Sequence, residues 1–159
     1  MISNKIRRAE IKDIPRIGEL LVQVCAVHAE GRSDLFRMGA RKYNDAELEE
    51  LICNDMKPIF VACDDKDDVL GYAFCVFQEH SGEGALNVVK TLYIDDLCVD
   101  EKIRGQRFGS ALYEYVLGFA KENDCYNVTL NVWACNESAM RFYEKCGMKI
   151  QKIGMETVL

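Results

Sequence analysis

The sequence predicts one α+β domain: a mixed, mostly antiparallel sheet of about six to seven strands, flanked by about four helices. Three observations predict it. Apolar periodicity orders the elements β-α-α-β-β-β-α-β-α-β along the chain. Strands that follow one another without a helix between them pair antiparallel, whereas the strand-helix-strand unit over 90–133 requires one parallel pair. The 159 residues hold 11 glycines and two prolines, below the usual share, and no repeat or low-complexity tract. The whole chain, 1–159, therefore reads as a single domain with a self-sufficient core.

Each element has its own signal. Residues 5–9 read as a short strand. Asp13 is an N-cap candidate, Pro15 suits a first helical turn, and Ile14, Ile17, Leu21 and Val24 recur at helical spacing. His28 to Tyr43 is polar and aperiodic, which predicts a long connection. Asn44 and Glu47 form a capping-box pattern that opens a second helix running through Cys53. Ile59–Cys63 and Val69–Gln78 are strands joined by the charged turn Asp64–Asp68, a hairpin. Residues 79–88 are a polar loop, and Lys90–Val99 is the next strand. Gly109–Asn123 is a helix with Phe108, Ala111, Leu112, Tyr115 and Phe119 on one face. Tyr126–Trp133 is a strand with Val128, Leu130 and Val132 toward the core and Thr129, Asn131 and Trp133 on the other face. Asn136–Cys146 is a helix closed by Gly147, and a last strand is expected over 148–157.

Composition restricts the function classes. The formal net charge is −6, which argues against a nucleic-acid partner. The early basic residues Lys5, Arg7 and Arg8 are not followed by the apolar run of a secretory leader. The longest apolar stretches also fall far below a membrane span. A cytoplasmic location without membrane contact is the expectation. The eight cysteines include no C-x-x-C pair, and His28 and His80 lie far apart, so no metal site is expected. Most of the cysteines sit among apolar residues and read as reduced, buried small hydrophobes.

Against that acidic background one segment stands out. Lys102, Arg104 and Arg107 fall within six positions, beside Gly105 and Gly109, where a helix begins. Unpaired amides at a helix start favour an anion, and arginine adds bidentate contacts to phosphate. The P-loop pattern is absent. The two glycines, four apart with no third, do not make a dinucleotide fingerprint.

Arg104-Gly-Gln-Arg-Phe-Gly109 resembles the [QR]-x-x-G-x-[GA] loop of the GNAT acetyltransferases. Asn136-Glu-Ser-Ala-Met-Arg-Phe-Tyr143-Glu-Lys-Cys-Gly147-Met148 is similar to their N-x-x-A-x-x-F-Y-x-x-x-G-F segment, and Leu92–Asp100 resembles their fourth strand. One departure is Arg107, where the family usually has glycine. The resemblance covers nearly the whole chain and implies acetyl-coenzyme A as co-substrate, bound between two splaying strands, here Lys90–Val99 and Tyr126–Trp133. It implies backbone contacts from Leu97, Cys98 and Val99 to the pantetheine arm. Arg104, Gly105, Gln106, Arg107, Phe108, Gly109 and Ser110 would hold the pyrophosphate. Asn136 and Ser138 would lie against the pantetheine, and Tyr143 would give a proton to the departing thiolate.

The acceptor amine must lose a proton before it attacks. Asp95 and Asp96 are the candidates, Asp95 ahead of Asp96 by the resemblance. Adjacent strand residues alternate across the pleat, so only one faces the cleft unless a bulge re-aims it. The charges of the 28–43 connection are mixed: Glu30 and Asp34 would attract a cationic amine, and Arg32, Arg37 and Arg41 an acidic group. These charges do not choose between substrates, and the resemblance implies a primary amine of a small molecule or of a peptide or protein as the acceptor. A coenzyme A-binding sensor without turnover is the alternative. The apolar residues Ile150, Ile153, Met155 and Val158 in an edge strand imply a homodimer.

Overall fold

The computed structural model describes residues 5–159. The elements are β1 (Lys5–Arg8), α1 (Ile14–Gly31), α2 (Asp45–Ile52), β2 (Ile59–Cys63), β3 (Val69–Ser81), β4 (Val88–Val99), α3 (Phe108–Glu122), β5 (Asn127–Leu130) and α4 (Glu137–Lys145). The sheet runs in the order β1-β2-β3-β4-β5. Its first four strands pair antiparallel, and β5 joins β4 in parallel after the α3 crossover.

Local chemistry explains the helix starts. Asn44 accepts the Glu47 amide at 2.9 Å and the Glu47 carboxylate accepts the Asn44 amide at 2.7 Å, the reciprocal box the spacing predicts. Asp13 precedes α1 with Pro15 in its first turn, but its carboxylate accepts from Arg7 at 2.8 and 3.0 Å instead of capping α1. Gly147 closes α4 at φ 92°, a conformation that glycine adopts without strain.

Two apolar clusters sandwich the sheet. On one face α1 and α2 bury Ile17, Leu20, Leu21 and Leu48 against Val61, Tyr72, Phe74 and Cys98. On the other α3 buries Phe108, Leu112, Tyr113 and Val116 against Ala73, Cys75, Leu92 and Ile94, with Tyr143, Cys146 and Met148 of the α4 region packed alongside.

Six expectations need correction. The strand expected over Tyr126–Trp133 covers only Asn127–Leu130, and β3 runs on through Ser81 into the expected loop 79–88. The sheet has five strands among the described residues, not six or seven, because residues 149–159 pair with no neighbour. The connection begins later than expected, since α1 continues through His28 to Gly31. Tyr115 lies at the edge of the α3 core face, 40% exposed and edge-on to Phe60, while Tyr113 takes the buried position. Three cysteines, Cys63, Cys75 and Cys98, are buried; Cys53 and Cys135 are exposed.

Candidate active site

The site begins where β4 and β5 part. Their pairing covers only Thr91–Ile94 against Asn127–Leu130. Beyond Ile94, β4 keeps β3 on one side, with Ala73, Tyr72 and Gly71 opposite Leu97, Cys98 and Val99, and has no strand on the other. The backbone of Leu97–Val99 thus lines an open fork. The Cys98 thiol does not enter it: the side chain is buried toward α1, 3.7 Å from the Leu20 carbonyl, and burial pushes the thiol up to about 12.

A β-bulge at the fork re-aims the two carboxylates. Phe74 pairs with Asp96 and Cys75 with Ile94, which leaves Asp95 as the extra residue. Leu92 and Ile94 face the α3 cluster, and so do Leu97 and Val99. The alternation therefore shifts by one between 94 and 97, and both Asp95 and Asp96 turn to the α1/α2 face. Asp95 accepts from the Tyr43 hydroxyl at 2.6 Å and from Lys42 Nζ at 2.8 Å. Asp96 accepts from the Tyr72 hydroxyl at 2.7 Å. Although part of Asp96 stays accessible, burial of its carboxyl pushes it up to about 6; the Tyr72 hydrogen bond and the Lys42 charge pull the other way. Phe74 braces both tyrosines, stacked on Tyr43 at 5.5 Å and edge-on to Tyr72 at 4.8 Å.

Tyr143 stands on the opposite face, packed on the α3 cluster with its ring 6.4 Å from that of Tyr113. Burial raises its phenol well above the ordinary value, and the negative charge of Asp96 adds to this. The hydroxyl therefore stays protonated. Asn136 caps α4, its side-chain oxygen accepting the Ala139 amide at 3.2 Å, which leaves its NH₂ free to donate. Ser138 lies exposed in the first turn of the same helix.

Between these faces lies the loop that leads from β4 into α3. Asp100 is buried, accepts the Lys102 amide at 3.0 Å and pairs with Arg16 of α1, which anchors the loop's start. Gly105 and Arg107 both sit in the left-handed region, at φ 88° and 66°. Arg107 precedes α3 without capping it by a side chain. Among the described residues none of the amides of 104–110 has a hydrogen-bond partner, and Lys102, Arg104 and Arg107 form no ion pair. Gly109 lets α3 start close to Phe142, which a Cβ would meet at 3.3 Å. Successive amides around left-handed residues at a helix start form a concave anion site.

An aromatic cluster joins the end of α1 to the segment that follows β5. Phe36 packs 5.0 Å from His28 and edge-on at 5.2 Å to Trp133. Asn131 donates to the Tyr93 hydroxyl at 3.2 Å. Burial and the Lys42 charge keep the His28 imidazole neutral. The arginines of the connection are largely committed: Arg32 to Asp34 and Glu156, and Arg41 to Asp45.

Residues 17–148 match the Acetyltransferase (GNAT) family. The chain belongs to the GNAT acetyltransferase family. Among curated proteins, the peptidyl-lysine N-acetyltransferase YjaB of Salmonella typhimurium is 30% identical over 135 residues, 84% of this chain and 77% of that protein. The glucosamine 6-phosphate N-acetyltransferase of Arabidopsis thaliana is 36% identical over 69 residues, and this match spans 44% of that enzyme. Among solved structures, a tetramutant of the BH1408 protein of Bacillus halodurans superposes with a TM-score of 0.93 at 30% identity, covering 98% of this chain and 99% of that one.

The three segments that resemble the family thus fall on β4 at the fork, on the loop into α3 and on α4. Three contacts had no sequence signal: Tyr43 and Lys42 on Asp95, and Tyr72 on Asp96, each joining residues remote in the chain. An aromatic residue just before the α2 capping box was the only available hint, and it named no partner.

Proposed function

We propose that this GNAT protein transfers the acetyl group of acetyl-CoA to a primary amine by direct attack, the amine belonging to a small molecule or to a peptide lysine or terminus. The observation that carries the reading is the bulged fork, with two carboxylates on one face and a protonated tyrosine on the other. That arrangement lets an amine and a thioester approach each other through the sheet from opposite sides.

The roles follow from the environments. The amides of 104–110, with Arg104 and Arg107, hold the pyrophosphate. The free edge of Leu97–Val99 pairs with the pantetheine amides, and Asn136 and Ser138 flank it. Asp95 receives the incoming ammonium in exchange for Lys42. Asp96 takes the proton that must leave the amine before attack. At about 6 it is a stronger base than an ordinary carboxylate by about 3 kcal/mol. An amide at Leu97 or Cys98 donates to the carbonyl oxygen as negative charge grows there. Tyr143 donates to the departing sulfur, and its raised pKa makes it a hydrogen-bond donor to the thiolate ahead of a full proton donor.

The aromatic wall of His28, Phe36 and Trp133 favours an acceptor that carries an apolar or ring segment beside its amine. Two relatives support the two acceptor classes: one is named for peptidyl-lysine, the other for glucosamine 6-phosphate. The test is thiol release from acetyl-CoA over a panel of polyamines, amino sugars, amino acids and lysine peptides, with the acceptor checked for a mass gain of one acetyl group. Amine-dependent release supports the reading. Thermal stabilisation by acetyl-CoA without release for any amine would leave a coenzyme A-binding module instead.

A further inference from the structure

Lys42 stands in the 32–44 connection, two residues before the Asn44 cap of α2. Its Nζ donates to Asp95 at 2.8 Å and lies 5.5 Å from the centre of the Tyr43 ring, whose hydroxyl donates to the other Asp95 oxygen at 2.6 Å. Burial dominates the titration of Asp96 and of His28, and the Lys42 charge acts on both, so the ammonium is within range of the bulge and of the end of α1. Other lysines are tied elsewhere: Lys5 and Lys12 pair with Asp67 between β2 and β3, and Lys90 lies over the Phe77 ring at 5.0 Å. Among the described residues Lys42 is the one lysine that pairs with a carboxylate of the fork. The pair is loosely held. The Lys42 side chain is 47% exposed, and ion pairs open to water to this degree gain little from their geometry.

We propose that Lys42 is a site of self-acetylation, its Nζ taking the acetyl group of the acetyl-CoA bound to the same chain. The step presupposes the amine transfer proposed above, in which Asp95 receives the acceptor's ammonium; Lys42 is a primary amine already held there. Leu97 lies two residues beyond Asp95 on β4, roughly 6–7 Å along the strand, and the flexible four-carbon stem of lysine sweeps a distance of that order. One proton of the Lys42 ammonium passes to Asp96. The freed electron pair forms a bond from Nζ to the thioester carbonyl carbon. The carbon–sulfur bond then breaks with its electron pair on sulfur, and the second nitrogen proton ends on the thiolate. The products are ε-acetyl-Lys42 and coenzyme A, with no oxidant or reductant consumed. The acetamide carries no charge, so Asp95 loses its internal cation and is left open to the ammonium of an external amine.

The test incubates the intact chain with deuterated acetyl-CoA and no acceptor, and follows the label on each lysine by peptide mass spectrometry. Deuterium separates new acetyl groups from any acquired during expression. Lys42 should gain label at least about tenfold faster than any other lysine, at a rate per chain that stays constant from about 1 to 50 μM protein, as a step within one molecule requires. Excess coenzyme A should suppress the labelling. Lys42→Arg keeps a cation beside Asp95 and removes the acceptor nitrogen, so it should lower the total label by one acetyl group per chain. An unlabelled Lys42 would overturn the inference, as would labelling no faster than at the other lysines or undiminished by coenzyme A. A rate per chain that climbs with protein concentration would overturn it too. Thiol release with external amines beside an unlabelled Lys42 removes the self-acetylation alone; no release with any amine and no label at Lys42 removes the proposed transfer with it.

Discussion

Asp96 shows at a single residue how this fold sets stability against chemistry. Its carboxyl is raised from 3.8 to about 6, chiefly by burial. Between those values the folded chain binds more protons than the unfolded one. Stability is therefore highest below about pH 4 as far as this group is concerned, and by neutral pH about 3 kcal/mol of it has been lost. Asp96→Asn keeps an acceptor for the Tyr72 hydroxyl and removes the titration. We expect its melting temperature to exceed that of the parent chain at pH 7.5, with the gap closing at pH 4. The same variant should lose at least about 100-fold in kcat/KM, together with the acid limb of the rate profile near pH 6. An unchanged profile would take the proton-accepting role from Asp96. Tyr143→Phe removes a hydroxyl for which no hydrogen bond is seen among the described residues. Stability should change little, and kcat should fall about 10- to 100-fold with the Kd for acetyl-CoA preserved. Stopped-flow turnover and calorimetric binding separate those two quantities.

At the scale of elements, what the sequence makes legible is what local chemistry decides. The capping box at Asn44, the glycine close of α4 and the hairpin over 59–78 each depend on neighbours in the chain, and each appears where the residues predict. The bulge at Asp95 does not, because a shift of register is a property of two strands together. The tyrosines that grip the carboxylates come from β3 and from the connection before α2, and nothing in Asp95-Asp96 points to them. The loop from β4 into α3 lies between these cases. Its glycines and arginines are visible in the sequence, whereas the left-handed φ of 66° at Arg107 is not. A non-glycine residue there costs about 1–2 kcal/mol. Arg107→Gly should therefore hold or slightly raise the melting temperature while raising the KM for acetyl-CoA several-fold, the more so at low salt. Arg107→Ala keeps the strain and loses the charge, so it should raise KM with no gain in stability. If neither variant changes KM, the arginine does not contact the phosphate.

For the whole molecule, the limit of sequence reading lies at residues 149–159. Their apolar pattern reads as a strand, yet the run joins no edge of the described sheet, because a pattern carries no address for a partner. Both apolar clusters lie entirely within residues 5–148, from Ile6 to Met148. The body therefore has its core without the run, and a chain shortened to residue 148 should fold. Among the described residues the run's tie to the body is the surface ion pair from Glu156 to Arg32, and such pairs add little. Shortening the chain to residue 148 should therefore lower the melting temperature by no more than about 4 °C. Scanning calorimetry of the intact and shortened chains measures the difference, and a larger fall would show that the apolar side chains of the run are held against the folded body.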